Sequence, residues 1–410
     1  MDRKLLYEYA EIIAKNGVNL YKGQCASVIA GPDDLAFGLI LEETLYRLGA
    51  KYVDLSIQSN TSLKSRIVHS AASDLSFVPE SVRSKINEQI AHDWAYIRID
   101  NTGEGDLLKD VDSENLNTVF KAIRQARRRL LEVCSKHERT WCVVAAPNPK
   151  WAASVIDDVS PAEAERRFDQ VLTKILRLDE PDPSAVWREH AQTLRARCDT
   201  LNALALDRLR FTNSTSHLEI GLTALSRWEG GGDVTPDGRV FLPNIPTEEV
   251  FTTPDYRRTK GKVCCTRPVR VMETQLTGVW FEFEDGKVVR QGADDHETLL
   301  ENFVGTDEGA RFLGEVALVD RSSPVYQSNR IFGSILYDEN ASCHIALGNG
   351  YPSCLEGGAS LRSEAELKAV GCNTSLVHTD FMIGSDDLTV VGIDKGGAET
   401  TLIESGYFRI

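Results

Sequence analysis

No stretch of this 410-residue sequence stays apolar long enough to cross a bilayer; Cys142 to Ala146 is typical of its short buried runs. Its nine cysteines are odd in number and include no Cys-x-x-Cys pair, a pattern expected of reduced thiols in a cytoplasmic protein. The opening M-D-R-K-L-L-Y-E-Y-A-E-I-I-A-K carries acids inside its apolar pattern, which argues against a secretory signal and for an amphipathic helix. Positive charge is scarce: 46 lysines and arginines stand against 61 acids, a net charge of −15. That balance disfavours a phosphate backbone, so nucleic acid is not an expected partner. No G-x-G-x-x-G follows the first strand pattern and no G-x-S-x-G is present, leaving a dinucleotide loop and a serine-hydrolase elbow unsupported. Repeats and low-complexity tracts are missing as well.

What remains is ordinary soluble composition, 42% hydrophobic and 26% charged, in a chain long enough for two domains. The first hundred residues alternate strand and helix patterns. Cys25 to Ala30, Tyr52 to Ile57 and Trp94 to Ile99 read as strands. Asp33 to Leu48, Ser62 to Asp74 and Pro79 to Asp93 read as helices. This order implies an α/β domain with a parallel sheet. Glycine- and aspartate-rich Asn101 to Asp112, with Gly103-Glu104-Gly105 as a turn, marks the expected boundary. The expectation is an N-terminal α/β domain at 1–110 and a larger α+β domain with mixed or antiparallel sheet at 111–410. Ser113 is expected to cap a long helix through about Lys136, whose Arg124, Arg127, Arg128 and Arg129 read as a solvated face. From Leu218 onward, short alternating segments separated by turns predict antiparallel sheet.

The chemistry concentrates in this last part. Tyr337 to Tyr351, Y-D-E-N-A-S-C-H-I-A-L-G-N-G-Y, sets Glu339, His344 and Tyr351 among small residues. Further on, S-L-V-H-T-D-F-M-I-G places His378 and Asp380 two positions apart, on one face if the segment is a strand. Glu315 interrupts the apolar run F-L-G-E-V-A-L-V, and Glu248-Glu249 sit between Pro246 and Pro254. Taken singly, each has a plain alternative. Glu315 reads equally as an outward residue of an amphipathic strand, and His344 as a hydrogen-bonded core histidine. His378 and Asp380 read as a simple pair, and Tyr351 as ordinary packing. Together they are the nitrogen and oxygen donor set that zinc, cobalt or manganese prefers.

The segments N-I-P-T-E-E-V-F-T-T-P, R-F-L-G-E-V-A-L-V, L-Y-D-E-N-A-S-C-H-I-A-L-G and H-T-D-F-M-I-G resemble successive signatures of the aminopeptidase T / aminopeptidase S family of cytosolic metallo-aminopeptidases. The likeness extends to V-N-L-x-x-G-Q near the start, to P-N-P-K-W-A and to W-R-E-H-A, so it spans nearly the whole chain. It implies two divalent metal ions held by Glu249, Glu315, Glu339, His344, His378 and Asp380, with Glu315 bridging and Tyr351 lining the site. It also implies an α/β N-terminal domain, a distinct catalytic domain, a homodimer, and peptide substrates with a free N-terminus. One departure is Ser216-His217-Leu218, where the family usually reads threonine-aspartate-leucine.

The implied ligand set carries four negative charges with its histidines neutral, which two divalent cations balance and one does not. With Glu249 taken as a ligand, its neighbour Glu248 becomes the candidate general base. Two rivals start from the same residues. A mononuclear iron oxygenase would use His344, His378 and Asp380, leaving Glu249, Glu315 and Glu339 without a task. A non-catalytic metal-dependent binding module would leave the complete ligand set idle.

Overall fold

The computed structural model describes residues 1–104, 107–108, 110–271, 274–361 and 363–410, apart from the side chains of Ser113 and Ala359. It divides into two compact units, Met1–Arg188 with Gly232–Pro246, and Glu189–Gly231 with Thr247–Ile410.

The first unit is an α/β domain, as its alternating patterns predict. Its sheet runs Tyr52–Ile57, Cys25–Ala30, Ala95–Asp100, Trp141–Ala145 and Asn244–Ile245 in spatial order, and every pairing is parallel. Strands covered on both faces read as near-continuous apolar runs. Val28, Ile97 and Val144 accordingly lie at 1% exposure or less. The expected division at residue 110 runs through this unit. Trp141–Ala145 pairs directly with Ala95–Asp100, Ile97 lying opposite Cys142, and the Ser113–Ser135 helix lies between them in sequence as a crossover. Glycine and aspartate mark a loop at a sheet end as readily as a linker, and here the polar stretch is such a loop. Gly105, part of the expected turn, falls outside the described residues. The long helix is capped by Asp112, whose carboxylate accepts from the Asn115 amide, one residue before the expected cap. Likewise Pro79 caps the Glu80–Ala91 helix from outside instead of opening it.

Among the described residues, the second unit holds two large antiparallel sheets, besides the two-stranded pair Val269–Val271 and Thr274–Leu276. One has eight strands, ordered Lys287–Gly292, Trp280–Glu284, Pro254–Cys264, His217–Leu222, Leu206–Thr212, Thr389–Asp394, Glu399–Glu404 and Tyr407–Phe408. The other has four, ordered Glu249–Thr252, Leu313–Val319, His344–Gly348 and His378–Met382. Phe211, Ile220, Phe281 and Phe283 of the larger sheet share one apolar core with Val316, Leu318, Ile345 and Phe381 of the smaller. The divergent Ser216-His217-Leu218 segment lies at a hairpin closed by Asn213, whose Oδ1 accepts from the Thr215 and Ser216 amides. Among the described residues no helix is long and apolar enough to cross a membrane.

Candidate metal centre

In an antiparallel sheet, residues paired across neighbouring strands share a face. Registers in the four-stranded sheet put Glu249 opposite Val319, Phe251 opposite Ala317, and Ala317 opposite His344. They also put Glu315 opposite Ala346, Ala346 opposite Asp380, and Gly348 opposite His378. Glu249, Glu315, His344, His378 and Asp380 therefore occupy one face, while Val250, Val316, Leu318, Ile345, Leu347 and Phe381 turn to the apolar core on the other. Ala346, lying between Glu315 and Asp380, is too small to keep their carboxylates apart.

A β-bulge sets the phase of the middle strand. The register slips between Leu313 and Glu315, with Gly314 as the extra residue. Leu313 thereby joins the core with Val316 and Leu318, and Glu315 goes to the opposite face. A Cβ on Gly314 would lie 2.2 Å from the Asn349 carbonyl oxygen, so glycine is the residue that fits.

The five side chains converge. His344 Nε2 lies 3.2 Å from Glu249 Oε2 and 4.0 Å from Glu315 Oε1. His378 Nε2 lies 3.2 Å from Glu315 Oε2 and 3.4 Å from Asp380 Oδ1. Two three-residue groups result, Glu249–Glu315–His344 and Glu315–His378–Asp380, each able to bring its donor atoms within 4.8 Å of one another. Glu315 belongs to both. Each imidazole is oriented from behind by a backbone carbonyl: His344 Nδ1 lies 3.1 Å from Ser342 O, and His378 Nδ1 lies 2.8 Å from Asn349 O. A carbonyl only accepts, so Nδ1 carries a proton and Nε2 is the atom turned toward the carboxylates, the arrangement that orients ligating histidines.

The electrostatics show a donor set short of positive charge. Burial raises the Glu315 pKa, Asp380 and Glu249 raise it further, and hydrogen bonding to His378 only partly opposes them. Burial lowers the His344 pKa, but Glu249, Asp380 and Glu315 outweigh it and push it up to about 10. His378 is driven well above its ordinary range in the same way, chiefly by Asp380. Among the described residues, Glu249 Oε2 and Asp380 Oδ1 are buried without a well-formed hydrogen bond, despite their proximity to the imidazoles. Buried oxygens without donors, paired with histidines drawn toward protonation, suit cations that would displace those protons. The donor set fits a divalent metal.

Glu339, in the short turn Glu339–Ala341, belongs to neither three-residue group but stands in the same field. Burial, Glu249 and Asp380 drive its pKa well upward, although some of its surface stays open. Tyr351 is 37% exposed as a residue, yet its hydroxyl lies 3.1 Å from His378 Nε2. Crowding by protein and the charges of Glu315 and Asp380 push that hydroxyl's pKa well up. Glu248 lies outside both groups. Its carboxylate meets His190, with 3.2 Å between Oε2 and Nε2, and its amide donates to Asn340 Oδ1 at 2.6 Å. The two histidines of the postulated iron triad fall in different groups, so that triad is not assembled. His190, Asn340 and the Gly314 bulge escaped the sequence reading. His190 lies in W-R-E-H-A and is one of eight histidines, a signal available but without a visible partner.

A sheet face built in this way belongs to a metal-dependent enzyme. The family described as thermophilic metalloprotease (M29) matches residues 2–408, and the chain belongs to that family. Among its relatives, aminopeptidase 2 of Geobacillus stearothermophilus is 37% identical over 98% of this chain and 97% of its own. Aminopeptidase PepS of Streptococcus thermophilus is 34% identical over 99% and 98%. The solved structure of wild-type AmpT from Thermus thermophilus superposes with a TM-score of 0.92 at 31% identity, covering 100% of both chains.

Proposed function

We infer that this chain is a metal-dependent aminopeptidase that releases N-terminal amino acids from peptides with a free amine. The observation that carries the reading is the pair of three-residue donor groups sharing Glu315 on one sheet face, in a chain whose full-length relatives are aminopeptidases. Glu249, Glu315, Glu339, His344, His378 and Asp380 would hold two divalent ions, zinc, cobalt or manganese, with Glu315 common to both. When bound, such ions supply Lewis acidity to a water and to the scissile carbonyl. Glu248 takes the proton released by the attacking water and returns it to the leaving nitrogen. Tyr351 borders the peptide and hydrogen-bonds His378. The substrate's ammonium group is recognised among the carboxylates, whose negative charge favours it and rejects a blocked terminus. The oxygenase reading has no support from the family or the geometry. A homodimer and a cytoplasmic location, expected from the resemblance and from the cysteines, belong to this same reading; light scattering checks the first and fractionation the second.

The test uses aminoacyl and N-acetyl-aminoacyl anilides. Turnover should vanish on chelation, return with zinc, cobalt or manganese, and stay absent for acetylated substrates. Full activity in metal-free protein, or equal cleavage of blocked substrates, refutes the reading.

A further inference from the structure

The helix Pro183–Ala203 buries Ala191, Leu194, Cys198 and Leu201 at alternating spacings of three and four. Beside that stripe stand His190 and Arg197, two turns apart and so on the same side. Both meet Glu248. His190 Nε2 lies 2.9 Å from the Thr247 carbonyl oxygen and 3.2 Å from Glu248 Oε2. Burial lowers the Arg197 guanidinium against the pull of Asp320 and Glu248. Because a carbonyl only accepts, Nε2 carries a proton for Thr247 O, and the Glu248 carboxylate oxygen lies 3.2 Å from that same nitrogen. From the other side Asn340, at 0% exposure, accepts from the Glu248 amide at 2.6 Å while donating to Leu336 O at 2.8 Å. Glu248 is thus fixed at its carboxylate and at its backbone on either side by side chains from two separate elements.

We infer that His190 is a positioning residue for hydrolysis, its Nε2–H selecting the side-chain conformation from which Glu248 moves protons. The inference rests on the proposed role of Glu248 as base. A histidine that served only to fill space would not need its Nε2 held by the Thr247 carbonyl within 3.2 Å of this carboxylate.

His190→Ala should lower kcat about 10- to 100-fold, the scale of a misplaced catalytic group, with KM within about twofold and metal content unchanged. His190→Gln, whose amide N–H can reach the same oxygen, should regain most of the rate. His190→Asn, one carbon shorter, should not. On a Glu248→Gln background, His190→Ala should add no further loss. In metal-free protein the two substitutions should be non-additive in thermal midpoint, a readout independent of turnover. Unchanged kcat in His190→Ala, loss of metal, or failure of glutamine to rescue overturns the inference. If Glu248→Gln slows turnover and His190→Ala does not, His190 alone loses its role. If Glu248→Gln retains full speed, both assignments fall. Should His190→Ala not fold, the comparison of glutamine with asparagine decides.

Discussion

Glu104 and Glu315 are each left with 4% exposure, but their surroundings differ. Glu104, in the first unit, accepts from Ser59 Oγ, the Asn60 amide, Thr61 Oγ1 and Asn101 Nδ2 at 2.6–3.0 Å. Burial alone would raise its pKa; those donors, Thr61 and Asn101 foremost, bring it down to about 2. Burial raises the Glu315 pKa as well, but there His378 offsets it only in part and the charges of Asp380 and Glu249 add to it. A buried carboxylate supplied with N–H and O–H donors is part of the structure. One that shares too few donors with neighbouring carboxylates draws protons or cations from outside, and that is how the candidate site differs from the scaffold.

Glu315→Gln is the severest way to break the contrast. It should weaken both ions and abolish turnover, while the metal-free protein keeps or gains thermal stability because a repelled charge is gone; metal analysis and melting curves check this. A Glu315→Gln protein that holds two ions and turns over normally would falsify the shared-ligand role. Next in size is the pair Glu248 and Glu249. Glu248→Gln should retain metal but lose about 10²–10⁴-fold in kcat, whereas Glu249→Gln should lose at least one ion; the opposite pattern reverses their roles. Phe381, beside Asp380 in the same strand but on the core face, stacks edge-on to Phe281 at 4.8 Å. Phe381→Ala should cost about 3–5 kcal/mol of stability in denaturant melts, leaving metal affinity of the folded protein nearly intact. The smallest effect concerns Glu104. Its depressed pKa stabilises the folded state above the ordinary glutamate range, and the benefit fades as pH falls from about 4.3 toward 2. Between pH 6 and pH 3, Glu104→Gln should therefore lose less thermal midpoint than the parent; equal slopes would place its hydrogen bonds outside the stability balance.

Much of this was legible in the sequence. The parallel-sheet pattern, the antiparallel texture after Leu218 and the spacing of His378 and Asp380 follow from periods of 3.6 and 2 along the chain. Glu315 stood out because a charge within an apolar strand needs a reason. Glu104 did not, because a carboxylate among glycines and aspartates looks like surface until its donors arrive from Ser59 to Thr61. The boundary at 110 failed because loop and linker share a composition. His190 and Asn340 were invisible in their roles, since hydrogen bonds from a helix and a turn to a distant segment leave no local periodicity.

Gly314 also has a consequence for chain length. The single extra residue there resets which side each following side chain faces, so one unit of length upstream of Glu315 has already been absorbed by the sheet. Between Glu315 and Val319 no such slack exists: one inserted or deleted residue would exchange the acidic and apolar sides beyond the point of change. A library of single-residue insertions and deletions, sorted for folded protein, should show this segment as a gap flanked by tolerant loops. A folded, metal-binding variant with an insertion at Ala317 would mean that the strand can shed a residue elsewhere, and that its length is not fixed by the face it presents.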